Sequence, residues 1–193
     1  MSKIVYLVRE GKNDGGIISP DGVARMLSAG VALRADLGKR GLRLEDVTMY
    51  SSQAPSAVMS AGVIAASLGI RVAGGTLAEF NPAIELENDI AQGRLPQIGE
   101  GFAIRWRDTG SGLTESESFA SVYRRSQFRR ANLMLMERAN EIPIVVTHCG
   151  VIEACVNYDT GADCHDMMRG EIAVSEGVER SSFVAFINSH LPR

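Results

Sequence analysis

The sequence predicts an α/β fold: a three-layer α/β/α sandwich around a mostly parallel sheet. Three observations carry that expectation. Apolar, β-rich runs at 4–8, 47–52, 142–148 and 181–188 are separated by segments with helical spacing. Strands that alternate with helices build parallel sheets with helices on both faces. The run "IPIVVTH" at 142–148 is also continuously apolar, as a strand buried on both sides must be.

The elements follow in order. After the first strand, Ser19 is placed to cap a helix that has Pro20 at its first position and Gly41 as its stop. Val23, Met26, Leu27, Gly30, Val31 and the stretch 33–37 recur at helical spacing and predict one apolar stripe. The second strand spans 47–52. A helix over 55–68, rich in Ala, Val, Met and Ile, is expected to pack on both sides. "IRVAGG", 70–75, reads as a short third strand. Turn signals at 80–114 read as an irregular insertion with one short helix, lying over one end of the sheet. A long helix over 116–140, the strand at 142–148, a helix from Gly150 to Asn157 and a final strand over 181–188 complete a single domain, 1–193.

Composition narrows the function classes. The chain has 193 residues, 45% hydrophobic and 22% charged, with a formal net charge of -3. A basic excess of the kind that accompanies nucleic-acid binding is missing, so no nucleic-acid partner is expected. The start, "MSKIVYLVRE", does not read as a signal peptide, and no apolar run reaches bilayer-spanning length, so no membrane role is expected. Three cysteines without CxxC spacing read as reduced thiols in a cytoplasmic protein.

Chemistry gathers at the strand ends. Arg9-Glu10-Gly11 follows the first strand, Ser51-Ser52 closes the second, Glu79 follows the third, and Thr147-His148-Cys149-Gly150 ends the buried strand. In a doubly wound sheet these all fall at one carboxyl edge, where ligands bind. The helix opening near Gly150 would turn its amino terminus toward that crevice, which suits an anion.

Taken together, these residues resemble the histidine phosphatase superfamily, the phosphoglycerate mutase-like fold. Arg9-Glu10-Gly11 is similar to its Arg-His-Gly, and "ISPDG" (18–22) to its Leu-Thr-Pro-x-Gly. "YSSQAPSAVMSA" (50–61), Leu77-Ala78-Glu79, "SESF" (116–119) and "THCGVIEA" (147–154) resemble further motifs in the family's order. The resemblance covers nearly the whole chain and implies a pocket that handles phosphate.

Two departures bear on that implication. The family's nucleophilic histidine stands at the position of Glu10, and its second phosphate-binding arginine at that of Ser56. Arg9, Glu79 and His148 are retained. The pocket is thereby more negative by about two charges, and a phosphate dianion about 4 Å from an uncompensated carboxylate meets roughly 2 to 8 kcal/mol of repulsion. Losing an arginine also removes a charge-assisted clamp.

The resemblance therefore implies a degenerate member that lacks phosphohistidine chemistry and binds a small molecule, a phosphate ester or a protein partner. The alternative is an active phosphatase or other hydrolase of the same superfamily. There Glu10 would be the base, its pKa raised by the low-dielectric crevice and by Glu79, with His148 as acid and Arg9 as substrate clamp. The candidate site is then Glu10, His148 and Glu79 for chemistry, with Arg9, Ser56 and Gly150 for binding. No metal or cofactor is expected, and dimerisation through the sheet edge fits the resemblance. Convergence of Glu10 and His148, with a cation from elsewhere replacing the missing arginine, would favour the enzyme; a collapsed cleft or a large apolar patch would favour the binding role.

Each residue also has a plainer reading. Glu10 pairs with Arg9 or Lys12 at an inert strand end, His148 is a structural hydrogen-bonding residue, and Cys149 is a packed thiol. Cys164 and His165 lie in a solvated loop, "RRSQFRR" (124–130) is a wet helix face, and His190 is exposed.

Overall fold

A computed structural model describes residues 4–72, 75–81, 141–152, 155, 169–176 and 183–187. Its central strand is β1 (Ile4–Arg9), which lies between β6 (Ile142–Thr147), parallel to it, and β7 (Ile172–Glu176), antiparallel. Beyond β6 come β4 (Val47–Ser51) and β5 (Gly75–Thr76), both parallel, and beyond β7 comes β8 (Phe183–Ile187), antiparallel to β7. The sheet order is β5-β4-β6-β1-β7-β8. This is the mostly parallel α/β arrangement expected.

Both faces of β1 are buried. Tyr6 and Val8 join the core under the helices, while Val5 and Leu7, on the alternate side, are equally inaccessible to solvent. Such double burial is why the apolar runs show no alternation. At the sheet's amino edge, Tyr6 donates its hydroxyl to Asp36 at 2.9 Å, and Arg40 binds both Asp36 and Glu176. Burial, and then the Asp36 carboxylate, push the Tyr6 phenol above its ordinary pKa.

Helix α1 (Pro20–Lys39) starts where Ser19 and Pro20 predict: Ser19 Oγ accepts from the Gly22 N–H at 3.1 Å. Its buried stripe is Met26, Ala29, Gly30, Leu33 and Leu37; Leu27 and Val31, expected in the stripe, are exposed. The orientation follows from a close helix crossing. A Cβ on Gly30 would overlap Ser67 Oγ of α2 (Pro55–Leu68), so the two backbones meet there. Arg34 then reaches the carbonyls of Ser67 and Leu68 at 3.1 and 2.8 Å.

The expectation that α2 packs on both sides is corrected as well. Ser56, Ala57, Ser60, Ala61 and Ile64 are buried, whereas Val58 and Met59 face solvent.

Three more expectations change. Between β1 and α1 lies a hairpin of β2 (Asn13–Asp14) and β3 (Ile17–Ile18) that the sequence reading treated only as a turn. Its two-residue loop is Gly15-Gly16, both at positive φ (58° and 86°), as a tight hairpin turn requires. Among the described residues the third strand is Gly75–Thr76 rather than 70–75: those two residues pair with Tyr50 and Ser51, while Arg71 and Val72 are exposed. β7 had no counterpart in the sequence reading. Apart from Phe80 and Asn81, the insertion at 80–114 lies outside the described residues, as do the helix at 116–140, "RRSQFRR", Cys164, His165 and His190. No helix among the described residues is long and apolar enough to cross a membrane.

Candidate functional site

The parallel strands β1, β4, β5 and β6 end together, and each chain segment that follows is tied to a neighbour. Glu10 N–H donates to the Thr147 carbonyl at 2.9 Å, and Ser52 N–H to the Val146 carbonyl at 2.8 Å. Leu77 N–H donates to the Ser51 carbonyl at 2.8 Å, while Thr147 Oγ1 donates to the Phe80 carbonyl at 2.7 Å. Those last bonds dock the 3-10 turn Ala78–Phe80, with half-buried Glu79, at the same edge.

Glu10 lies at the centre, 7% exposed. Ser56 Oγ, one residue into α2, donates to Oε2. The other oxygen, Oε1, stands 3.1 Å from His148 Nδ1 and 3.5 Å from Asn13 Nδ2. Arg169 Nη1 is 3.8 Å from Oε1 and donates to the Gly11 carbonyl at 3.0 Å. A buried carboxylate is tolerable only when its lone pairs are met in this way.

These contacts decide its ionisation. Burial alone would push the Glu10 carboxyl up; the His148 hydrogen bond and charge, the Ser56 hydroxyl and Arg169 outweigh it and hold the carboxyl below its ordinary pKa. The expectation that the low-dielectric crevice and Glu79 would raise it is therefore corrected. Burial was legible in the sequence, but the hydrogen bonds onto the carboxylate were not.

The histidine links a second hydroxyl. His148 Nε2 lies 2.8 Å from Ser52 Oγ, and both side chains are buried. An ionised carboxylate only accepts, so the proton between Glu10 and His148 belongs to Nδ1; in the neutral ring Nε2 then accepts from the Ser52 hydroxyl. Ser52 Oγ also accepts from the Ala54 N–H at 3.3 Å. A continuous relay runs Ser56–Glu10–His148–Ser52.

The structure thus brings together Glu10, His148 and Ser56. Gly150 is buried, two residues past His148 in a helical segment that begins at Cys149. Arg9 stands opposite Thr147 in the β1–β6 register, its backbone held by the Glu171 carbonyl and the Gly170 N–H. Cys149 is buried and forms no disulfide.

Three participants escaped the sequence reading: Arg169, Asn13 and Ser60, whose Oγ accepts from the buried Gly11 N–H at 3.0 Å. Ser52 was expected at this edge from its strand end but was given no role. Among the described residues, no group of three or more His, Cys, Asp or Glu is placed to hold a metal ion.

No protein-family model matches the sequence, and no curated protein matches it either. Solved structures do. The chain is similar to "Mycobacterial hydrolase 1" at TM-score 0.63 and 16% identity, covering 100% of both chains. It is similar to a mycobacterial glucosyl-3-phosphoglycerate phosphatase at TM-score 0.61 and 17% identity, covering 94% of each. A phosphoserine phosphatase mutant from Entamoeba histolytica, solved with phosphoserine, aligns at TM-score 0.64 and 14% identity, covering 97% of this chain and 98% of that one. At such identities the likeness is one of fold, and it is the fold the sequence predicts.

Proposed function

We propose that this protein is a degenerate member of the histidine phosphatase superfamily that has given up phosphohistidine chemistry and keeps its crevice for a ligand without phosphate charge. One observation carries the reading: the carboxylate of Glu10, which the sequence resemblance aligns with the family's nucleophile, is buried with Ser56, His148 and Arg169 around it. A phosphate dianion about 4 Å away would meet about 8 kcal/mol of repulsion at an effective dielectric near 20, before Arg169 offsets part of it. That arginine is already engaged by Glu10 and the Gly11 carbonyl. The phosphatases among the structural neighbours support the ancestry of the crevice, and the charge pattern supports its change of use.

Hydrolysis of a generic aryl phosphate, followed from acid to neutral pH for wild type and Glu10→Ala, tests the proposal. No turnover by either is the expected result. Turnover by wild type that disappears in Glu10→Ala overturns it.

A second reading, a hydrolase of the same superfamily, is favoured by two observations. Glu10 and His148 converge at 3.1 Å, and Arg169 supplies a cation from elsewhere in the chain. In this reading the role of Glu10 changes: a carboxylate held below its usual pKa is a poor base and a good orienting group for histidine.

A further inference from the structure

We infer that Ser52, His148 and Glu10 form a serine–histidine–carboxylate relay whose nucleophile is Ser52 Oγ and whose substrate is an uncharged carboxylic ester with a small acyl group. The inference deepens the proposal that the crevice serves a ligand without phosphate charge, and rests on it for the choice of substrate class.

Geometry carries the relay. Ser52 Oγ to His148 Nε2 is 2.8 Å and His148 Nδ1 to Glu10 Oε1 is 3.1 Å, both within the reach that nucleophile, base and orienting group require. Each group uses the correct end: the serine meets one ring nitrogen, the carboxylate the other. Ser52 sits between the end of β4 and the start of α2 at Pro55, a strand-to-helix turn at the sheet's carboxyl edge. Nucleophilic serines of other α/β hydrolases occupy this kind of turn. Ser56 is the weaker candidate, because its hydroxyl faces the carboxylate rather than an imidazole.

The steps balance. Ser52 Oγ attacks the ester carbonyl carbon while its proton passes to His148 Nε2, and Glu10 stabilises the imidazolium without taking the proton. Collapse breaks the bond to the alcohol, which leaves with the proton from Nε2. Water then attacks the acyl-serine, gives its proton to His148, and releases the acid as Ser52 recovers its own. The N–H next to the nucleophile, that of Gln53, is held by Asn81 Oδ1 at 2.8 Å, and the substrate's carbonyl oxygen takes Asn81's place as the charge develops. Charge sets the class: the Glu10 carboxylate disfavours anions and spares neutral esters. Ser52 has no exposed surface, so a substrate reaches it only when the crevice opens, and a small acyl group requires the least opening.

The test is phosphorylation by diisopropyl fluorophosphate, a neutral reagent, read by intact mass and peptide mapping. The Ser52 O–P bond forms, the P–F bond breaks, and the serine proton leaves with fluoride through His148. The expected result is one adduct on Ser52, absent in Ser52→Ala and slowed about 10³-fold or more in His148→Ala. Hydrolysis of p-nitrophenyl acetate should be lost in parallel. Mapping the wild-type adduct reads the proposal without any variant, and near-UV circular dichroism shows that the variants are folded. No adduct after prolonged exposure of folded wild type, an adduct elsewhere, or labelling indifferent to His148→Ala overturns the relay. Those results leave the charge argument against phosphate standing, whereas aryl phosphate turnover overturns that argument and with it the choice of a neutral ester.

Discussion

Replacing Glu10 by Gln keeps the shape of the buried side chain and removes its charge. Ser56 Oγ and His148 Nδ1 both direct hydrogen bonds at the carboxylate, and Arg169 stands 3.8 Å away. An amide puts an NH2 group where one of those donors points, so one contact is lost and the survivor is no longer charge-assisted. Hydrogen bonds to charged groups contribute about 1.5–3 kcal/mol each. Relief from burying a charge offsets part of the loss, and the net expectation is a destabilisation of about 2 kcal/mol at pH 7. For a chain of this size that lowers Tm by roughly 4–8 °C. The pH dependence sharpens the test. The folded carboxyl lies below its ordinary 4.5, so its contribution is fully present above the unfolded value and lost as pH falls through the folded one. Urea unfolding of wild type and Glu10→Gln should therefore show a gap at neutral pH that closes in acid below 4.5. Equal stability at pH 7, or a gap that persists into acid, would refute the claim that this carboxylate is buried ionised and satisfied.

Three other changes test how the edge is held. Ser60→Ala strands the buried Gly11 N–H and should cost about 1–3 kcal/mol in urea unfolding; a neutral result would deny that this bond anchors the Glu10 turn. A Cβ on Gly22 would overlap the Lys12 carbonyl and lie 2.8 Å from Ile18 Cγ1, so Gly22→Ala should destabilise by about 1–3 kcal/mol through overpacking. An unchanged midpoint would mean that the hairpin does not press on α1. Ser19→Ala, which removes the cap of α1, should cost about 1 kcal/mol, with no change contradicting the capping geometry.

What the sequence revealed was local. The strand at 142–148 was visible because a parallel strand buried on both faces has no polar interruption, and α1 because Ser19-Pro20 is a start signal in itself. β7 was hidden: its five residues, Ile172–Glu176, include Ser175, and their burial comes from antiparallel partners, β1 and β8, far away in sequence. The face of α1 was misjudged for a similar reason, since the Gly30 crossing with α2 sets the helix's rotation. At the site, Glu10 and His148 were legible as strand-end residues. Arg169 was not, because it meets Glu10 only through the return of the chain after residue 168. Glu10's ionisation was misjudged because burial raises a carboxyl's pKa and only three-dimensional contacts reverse the sign.

The central claim is that the Glu10 carboxylate keeps phosphate out of this crevice. Calorimetric titration of wild type with inorganic phosphate at neutral pH tests it most directly, with Glu10→His/Ser56→Arg titrated alongside. The account predicts no saturable binding to wild type and its appearance in the double variant, in which the two residues implied by the sequence resemblance are introduced. Saturable binding of phosphate by wild type would contradict it.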